Sequence, residues 1–369
     1  MATGNTVRLL DIWVGVGDPR QMKKVEHKRV ELLVIAVCAV LSGADTFVEI
    51  EAWANEKEAW LRQHLTLEYG IPSHDTFGRL FAAIDPDQFS AAFVRWISQV
   101  LPTLTNGEVI AIDGKTSRCS GGVDATPLPL VSAFAAGAGL VLGQRATPAK
   151  SNEKTAIPEL LATLALEGCV ATNDAMGTQA TIAQAIWARG ADYVLAVKDN
   201  QPMLAESIKD FWQAFETAPD KTAHQAHDVV EKDHGRLEVC RCTVFNQLDC
   251  LHAPERWPDL QSFAVITTER TVRGKTSYER RCYLSSLAPD AARLNLAVRQ
   301  HWRVENSLHW CMDVVFGDDQ MRARTDHAAH NLAVLRQFVL NLLRLAPVKR
   351  KGGLKVPRLI APACDAFRE

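Results

Sequence analysis

The chain lacks a hydrophobic run long enough to cross a membrane. Its longest apolar stretch, residues 32–41, is about half of the ~20 residues that a membrane helix needs. The sequence therefore predicts no membrane segment. Its composition, 47% hydrophobic and 23% charged, is typical of a globular protein and does not indicate disorder.

Paired cysteines are also missing. The nine cysteines are an odd number, and no two of them are spaced as CxxC. Cys240 and Cys242 would share one face of a strand, but no further Cys or His lies at ligand spacing, so we interpret them as packing residues. With no secretory signal peptide at the amino end, the sequence predicts a reduced, cytoplasmic chain.

Neither sign of charge is in large excess. The formal net charge of −2 neither requires nor excludes nucleic acid, because DNA binding needs local rather than overall positive charge. Such local excess occurs near both ends, where it indicates either a solvated surface or a DNA contact. The basic residues are Arg20, Lys23, Lys24, Lys28 and Arg29 near the start, and Arg344, Lys349, Arg350, Lys351, Lys355 and Arg358 in the tail.

The chain of 369 residues is long enough for two or three domains. Residues 17–100 have helical periodicity, whereas from Glu108 the pattern is strand, hairpin, helix, strand, helix, strand, which predicts a mixed α/β core. Three further strands are predicted at residues 237–245, 262–268 and 278–285. The expected units are a helical amino-terminal domain (1–100), the first part of the core (105–217), a β-rich insertion (218–288), the last helical part of the core (289–345) and a basic tail (346–369).

Two predicted strands each end in an aspartate. In VIAIDGK, residues 109–115, four apolar positions precede Asp113 and the strand breaker Gly114, and CVATNDA, residues 169–175, ends at Asp174. A carboxylate at such a position is costly to bury unless it is paired or binds a metal. A turn aspartate before a glycine is the ordinary alternative, so further acids are needed to indicate a site.

A third acid lies on a predicted helix. His301, Glu305, His309 and Asp313 recur every four residues beside an apolar stripe, which places Glu305 at the edge of a buried face. With the two aspartates it would supply the oxygen ligands that a pair of divalent metal ions needs. A zinc ion shared by His301 and His309 is not expected, because the two residues are two helical turns apart.

Several motifs resemble one family over residues 18 to 345. In order they are IAIDGKT, LVSAFA followed by GLVLGQ, KSNEKTAIPELL, DAMGTQ, GADYVLAVKDNQ, HGRLE, and HWRVENSLHW followed by DVVFGDD. They resemble bacterial insertion-sequence transposases of the DDE class, in the branch that includes the H-repeat-associated proteins. The resemblance implies a ribonuclease-H-like core with Asp113, Asp174 and Glu305 as catalytic residues and metal ligands. It also implies two Mg²⁺ ions, for which Mn²⁺ can substitute.

Two positions depart from the family pattern. Asn173 precedes the second aspartate, where the family usually has an apolar or small residue, and Pro129 is at a position where His is common. The first change could loosen the strand that directs Asp174. Neither change removes a carboxylate of the triad, so we expect a catalytically competent protein.

Residues just beyond the strand ends and near Glu305 are candidates for contacts with DNA. Lysine, arginine and amide side chains at such places can bind phosphate, although many of them are simply solvated. The candidates are Lys115, Lys198, Asn200, Gln201, His234, Arg236, Arg299 and Trp302.

The expected partner is double-stranded DNA, both the transposon ends and the target. Joining two ends with one triad per chain requires two active sites, so a homodimer is expected in the synaptic complex. The alternatives are a transposase-derived protein that binds DNA without cutting it, a stand-alone Mg²⁺ nuclease, and a phosphatase of small molecules. The intact triad argues against the first, and the absence of a compact phosphate loop argues against the last.

Overall fold

The computed structural model describes residues 8–21, 23, 25–101, 104–121, 127–147, 153–233, 235–346 and 353–365. Through these residues runs a nine-stranded sheet with helices on both faces. The strands are β1 (Val109–Ser117), β2 (Leu128–Ala135), β3 (Leu140–Ala146), β4 (Val170–Asn173), β5 (Asp192–Val197), β6 (Gln225–Asp233), β7 (Arg236–Phe245), β8 (Ser262–Val272) and β9 (Lys275–Ser285).

The strand order across the sheet is β3-β2-β1-β4-β5-β9-β8-β7-β6. Strand β2 pairs antiparallel with both β1 and β3, whereas β1, β4 and β5 are parallel to one another. Strand β5 pairs antiparallel with β9, and the remaining strands follow as antiparallel neighbours. The predicted mixed α/β fold is therefore confirmed, and the strands between residues 225 and 285 extend the same sheet.

The register of the central strands determines where the two aspartates lie. Ile112 on β1 pairs with Asn173 on β4, and this is the last paired position between these parallel strands. Asp113 and Asp174 come immediately after it. The carboxyl ends of neighbouring parallel strands lie side by side in a sheet. The two aspartates therefore lie close to each other, at the carboxyl ends of two central strands.

The helices begin and end where local chemistry favours it. Thr46 and Glu49 form a capping box, and Asp85 caps the helix whose first residue is Pro86. Gly43, whose φ is +103°, follows the end of the helix that spans residues 29–41. The helices are α1 (Leu9–Ile12), α2 (Arg29–Leu41), α3 (Phe47–Glu56), α4 (Glu58–Leu61), α5 (His74–Ala83), α6 (Pro86–Val100), α7 (Glu153–Ala162), α8 (Ala180–Trp187), α9 (Pro202–Thr217), α10 (Ala291–His301), α11 (Trp310–Val314), α12 (Ala328–Leu345) and α13 (Lys355–Ile360).

None of the helices in these ranges is both long enough and apolar enough to cross a membrane.

Four strands, rather than the three expected, lie between residues 218 and 288. The additional one is β6, whose sequence QAHDVVEKD lacks alternation of apolar and polar residues. It forms because every residue from Gln225 to Asp233 pairs with β7. Pairing with a neighbouring strand, which a single sequence does not reveal, therefore overrides the polar composition.

The two faces of the sheet carry separate hydrophobic cores. Helices α7, α8 and α9 cover one face, whereas α10 and α12 cover the other together with the amino-terminal helices. Rings join these helices, with Trp13 stacked on Phe89 at 4.7 Å and Trp96 at 4.1 Å from Phe338 on α12. The amino-terminal helices and α12 thus share one core.

The carboxyl-terminal helix is attached through a buried arginine. The Arg358 guanidinium donates hydrogen bonds to the carbonyl oxygens of Val40 and Val315, and it pairs with Asp45 Oδ1 at 2.8 Å. It also lies over the ring of Phe316, with its Cζ 4.5 Å from the centroid. Arg358 therefore joins α13 to the end of α2 and to the residues that follow α11.

Replacing Arg358 with methionine should lower the free energy of unfolding by about 3 kcal/mol, because it removes the partner of the Asp45 carboxylate and the side-chain donor to the buried carbonyl groups of Val40, Ala44 and Val315. Urea unfolding followed by tryptophan fluorescence measures the change. Lys57→Met is the matched control. It removes a more exposed ion pair with Asp365, which is on the same carboxyl-terminal segment as Arg358, so it should lower the free energy of unfolding by less than about 1 kcal/mol. Equal losses in the two variants would contradict this account.

Candidate active site

Asp113 is on the sheet face that is covered by α10 and α12. Its neighbour across β2 is Ser132, which accepts a hydrogen bond from Gln337 on α12, so this row of side chains faces the helical layer. The Asp113 side chain is 15% exposed. One carboxylate oxygen accepts the backbone N–H of Gly114 at 2.9 Å, and the other, Oδ2, faces His309.

Glu305 and His309 are the first and last residues of a π-helical segment that follows α10. Glu305 is half-exposed, whereas His309 is buried with its Nδ1 atom 3.5 Å from Glu305 Oε2 and 3.6 Å from Asp113 Oδ2. Ligand atoms of the three side chains all lie within 4.8 Å of one another. The structure thus brings Asp113 and Glu305 together, and it adds a histidine between them.

Burial lowers the pKa of His309 below its usual value, although the Glu305 carboxylate opposes the shift. The other histidine of this stretch, His301, has a different environment. Its Nδ1 atom is 2.9 Å from Thr172 Oγ1, and burial lowers its pKa to about 4. Both imidazoles are therefore neutral near pH 7, and only His309 lies beside the carboxylates.

Asp174 lies at the neighbouring strand end but outside this three-residue cluster. Its Oδ1 atom accepts the backbone N–H groups of Met176 and Gly177 at 3.0 and 3.3 Å, which stabilises the turn after β4. The residue lines a small cavity of about 30 Å³ together with Lys198, Arg281 and Trp302. Two cationic side chains therefore lie on the Asp174 side of the site.

Asn173, which departs from the family pattern, fits into the strand because a glycine faces it. The side chain is 3% exposed, and a Cβ atom at Gly177 would lie only 2.1 Å from its Nδ2 atom. Strand β4 keeps its pairing with β1 through Asn173. Pro129, the other departure, pairs opposite Thr116 on β1 and accepts the N–H of Thr147 through its carbonyl. Neither residue disrupts the sheet.

Lys115 lies within a second group of acids. Its Nζ atom is 2.6 Å from Asp313, 3.2 Å from Asp318 and 3.5 Å from Asp319. Burial lowers the pKa of Lys115, but the carboxylates of Asp318, Asp313 and Asp319 outweigh burial and raise it above its usual value. Because Lys115 pairs with all three acids, while Arg336 pairs with Asp318 and Arg118 lies 3.6 Å from Asp319, this cluster is an ion-pair network within the fold.

The other residues that the sequence suggested for DNA contacts have varied environments. Lys198 is exposed beside Asp174, and the Trp302 ring lies 4.3 Å below the guanidinium of Arg281, which also pairs with Glu279. The remainder already have partners: Asn200 donates to the carbonyl groups of Ala175 and Thr178, Gln201 to that of Thr178, Arg236 is 3.5 Å from Glu238, and Arg299 pairs with Glu231. His234, Lys24, Lys349, Arg350 and Lys351 lie outside the described residues.

Sequence reasoning missed two neighbours of the triad. The four-residue spacing placed Glu305 and His309 on one helical stripe, but it did not assign His309 to the site, because the contact of His309 with Asp113 depends on the tertiary fold. Nothing in the sequence indicated that Arg281 lies near Asp174, because it reaches this position only through the pairing of β9 with β5.

Comparison with known proteins gives matches along most of the chain. The model of the transposase DDE domain matches residues 105–342, and the model of the DDE_Tnp_1-associated domain matches residues 11–97. Among relatives, "Putative transposase YncI" of Escherichia coli is 39% identical over 95% of this chain and 90% of its own. "H repeat-associated putative transposase YhhI" of Escherichia coli is 36% identical over 91% of this chain and 90% of its own.

A solved structure, the piggyBac transposase synaptic complex with hairpin DNA, is similar at a TM-score of 0.43 and 9% identity, over 95% of this chain and 75% of that chain. A score this low does not by itself show a common fold. The family match does not depend on it, because the DDE-domain model covers more than half of the residues. The chain therefore belongs to the bacterial insertion-sequence transposases of the DDE family, as its motifs indicated.

Proposed function

We propose that this transposase binds the ends of its element and catalyses metal-dependent hydrolysis and strand transfer at phosphodiester bonds, with Asp113, Asp174 and Glu305 as the catalytic carboxylates. One observation carries the proposal. Asp113 and Glu305, which are far apart in the chain, lie within 4.8 Å at the sheet edge that also carries Asp174. Carboxylates converge in this way at a considerable cost in repulsion unless a cation compensates for it.

The residues fit divalent cations. Two carboxylates and a neutral imidazole are close together and partly accessible, and carboxylate oxygens are ligands that Mg²⁺ and Mn²⁺ accept. Asp174 uses only Oδ1 for its turn, which leaves Oδ2 for a ligand. Asp113 with Asp174 would hold one ion, and Asp113 with Glu305 the other.

When bound, such ions activate the attacking hydroxyl and stabilise the leaving oxygen. The protein contributes the positioning. Strands β1 and β4 fix Asp113 and Asp174 through their pairing, and the π-helical segment places Glu305 opposite them. Lys198 and Arg281 line the cavity beside Asp174, where Lys198, and Arg281 on release from its ion pair with Glu279, can orient a phosphate of the DNA backbone.

We further propose that the core is ribonuclease-H-like. The order β3-β2-β1-β4-β5, with a parallel β1-β4-β5 set flanked by an antiparallel hairpin, supports this assignment. In this division residues 1–100 form the helical amino-terminal domain, 105–217 and 289–345 the core, 218–288 an insertion and 346–369 a basic tail. The spans of the two family models agree with the boundary near residue 100.

The function is tested with labelled DNA that carries the ends of the element, in Mg²⁺. Wild-type protein should nick and join the DNA, whereas Asp113→Asn should reduce both products by at least about a thousandfold while binding is kept, because it removes a metal ligand and a negative charge that faces phosphate. Gel analysis of bound, nicked and joined DNA gives all three readouts.

Two further variants sharpen this assay. Asp174→Asn retains an acceptor for the turn N–H groups, so it should fold normally and yet lose cleavage. Asp199→Asn, at an exposed acid beyond β5, should cleave like the wild type. Cleavage by the Asp113 or Asp174 variant would refute the triad, and binding without cleavage by the wild type would favour a protein that only binds DNA.

Lys198 is the proposed phosphate contact that is easiest to test, because it is exposed beside Asp174. Lys198→Ala should weaken binding of end DNA and reduce the slope of log K against log salt by about one. Lys209→Ala, at an exposed lysine of α9, is the control and should leave the slope unchanged. An unchanged slope for Lys198→Ala would remove this contact from the proposal.

The other proposed contacts would have to exchange partners. Lys115, Asn200, Gln201, Arg236 and Arg299 each pair with groups of the protein, so DNA phosphate would compete with these bonds. Trp302, beneath Arg281, would brace the site. We also propose a cytoplasmic location at the nucleoid, where the DNA substrate is.

The active complex is proposed to be a homodimer on two DNA ends, since each chain supplies one triad and two ends must be joined together. Sedimentation of the protein with end DNA at moderate salt should give two protomers per complex that joins paired ends. A complex of one protomer that is fully competent for paired-end joining would contradict the dimer.

A further inference from the structure

We infer that His309 is a direct ligand of the metal ion held by Asp113 and Glu305, so that this ion has a mixed nitrogen and oxygen environment. The inference rests on the proposed function, because it concerns the same metal site. It adds a residue outside the Asp-Asp-Glu set, and it changes which cation the site prefers.

The spacing of the three ligand atoms supports a shared ion. His309 Nδ1 is 3.6 Å from Asp113 Oδ2 and 3.5 Å from Glu305 Oε2. Two ligands at metal distances of about 2.1 Å are separated by about 3.0 Å at neighbouring octahedral positions and by about 3.4 Å at tetrahedral ones. The observed separations are therefore close to those of ligands around one ion.

The same separations are longer than those of strong hydrogen bonds between an imidazole and a carboxylate, which are about 2.7–3.2 Å. The chain contains a comparison for this point. His74 Nδ1 is 2.6 Å from Glu51 Oε2 on the surface, which is a true histidine–carboxylate hydrogen bond. His309 instead lies at nearly equal and longer distances from two carboxylates.

The backbone around His309 is held in place for this arrangement. In the π-helical segment the backbone hydrogen bonds join residues five apart, as from the Trp310 N–H to the Glu305 carbonyl, and two side chains add further donors. Arg344 on α12 donates to the carbonyl of Ser307, and Cys311 Sγ is 3.7 Å from that of Asn306. These contacts maintain the wide turn, whose first and last residues are Glu305 and His309.

A nitrogen ligand should shift the metal preference. Imidazole binds the later divalent transition metals better than Mg²⁺, whereas an all-carboxylate site suits Mg²⁺ well. Mn²⁺ should therefore bind about tenfold more tightly than Mg²⁺, and removing the imidazole should bring the two affinities closer together.

Pulsed electron paramagnetic resonance of the tag-free protein loaded with Mn²⁺ tests the inference without any activity assay. The wild type should show coupling of the Mn²⁺ electron spin to a histidine nitrogen, which changes when histidine is labelled with ¹⁵N. His309→Ala should lose this coupling, and His309→Gln, which keeps a polar side chain of similar length, should bind Mn²⁺ but also lack it.

His330→Ala is the matched control. His330 is also buried, burial lowers its pKa to about 4, and its Nε2 atom, like that of His309, has no hydrogen-bond partner among the described residues. Its removal should leave the coupling intact. Coupling that survives in His309→Gln, or wild-type protein with Mn²⁺ bound but no nitrogen coupling, would overturn the inference.

These outcomes are distinct from failure of the proposed function. If Asp113→Asn loses cleavage and Mn²⁺ binding while the wild type shows no nitrogen coupling, the triad stands and only His309 is excluded. If Asp113→Asn still cleaves DNA, the proposed function itself is wrong.

Discussion

The arrangement of the site depends on the ion pairs and hydrogen bonds of one buried carboxylate, that of Asp318. It is 2% exposed and accepts hydrogen bonds from Lys115 and Ser117 on β1, both at 3.2 Å, while its other oxygen pairs with Arg336 on α12 at 2.8 Å. A buried acid of this kind is tolerated only while its cationic partners are present. It therefore fixes the strand that carries Asp113 against the long helix behind it.

The same network reaches the other side of the site. Lys115 also pairs with Asp313, which comes shortly after the π-helical segment, so the stretch that carries Glu305 is attached to β1 by an ion pair. Arg336 donates to the carbonyl of Asp45, whose side chain pairs with Arg358. These ion pairs thus join the amino-terminal helices, the active-site helices and the carboxyl-terminal helix. Their charges are largely removed from water, so they are screened less than ion pairs at the surface.

The sequence predicted those features of the site that depend on local structure. Asp113 and Asp174 follow apolar runs that form neighbouring strands, and Glu305 lies on a helix as expected, although that segment is π-helical rather than α-helical. Pairings across the fold were not predictable. Lys115 was expected to face DNA, whereas its ammonium group lies among three aspartates that approach only when α11 and the turn after it pack on β1. Strand β6 was missed for a similar reason, since its polar sequence becomes a strand only through pairing with β7.

Strand β6 also limits how the sheet can associate with other chains. It is the last strand of the described sheet, and the edge of a sheet exposes backbone groups that can add a strand from a neighbouring molecule. Its side chains include Asp228, Glu231 and Lys232, all of them exposed. Charges of this kind on an edge strand oppose the docking of a foreign strand. The β6 edge of the sheet is therefore guarded against strand addition by the same polar composition that concealed the strand in the sequence.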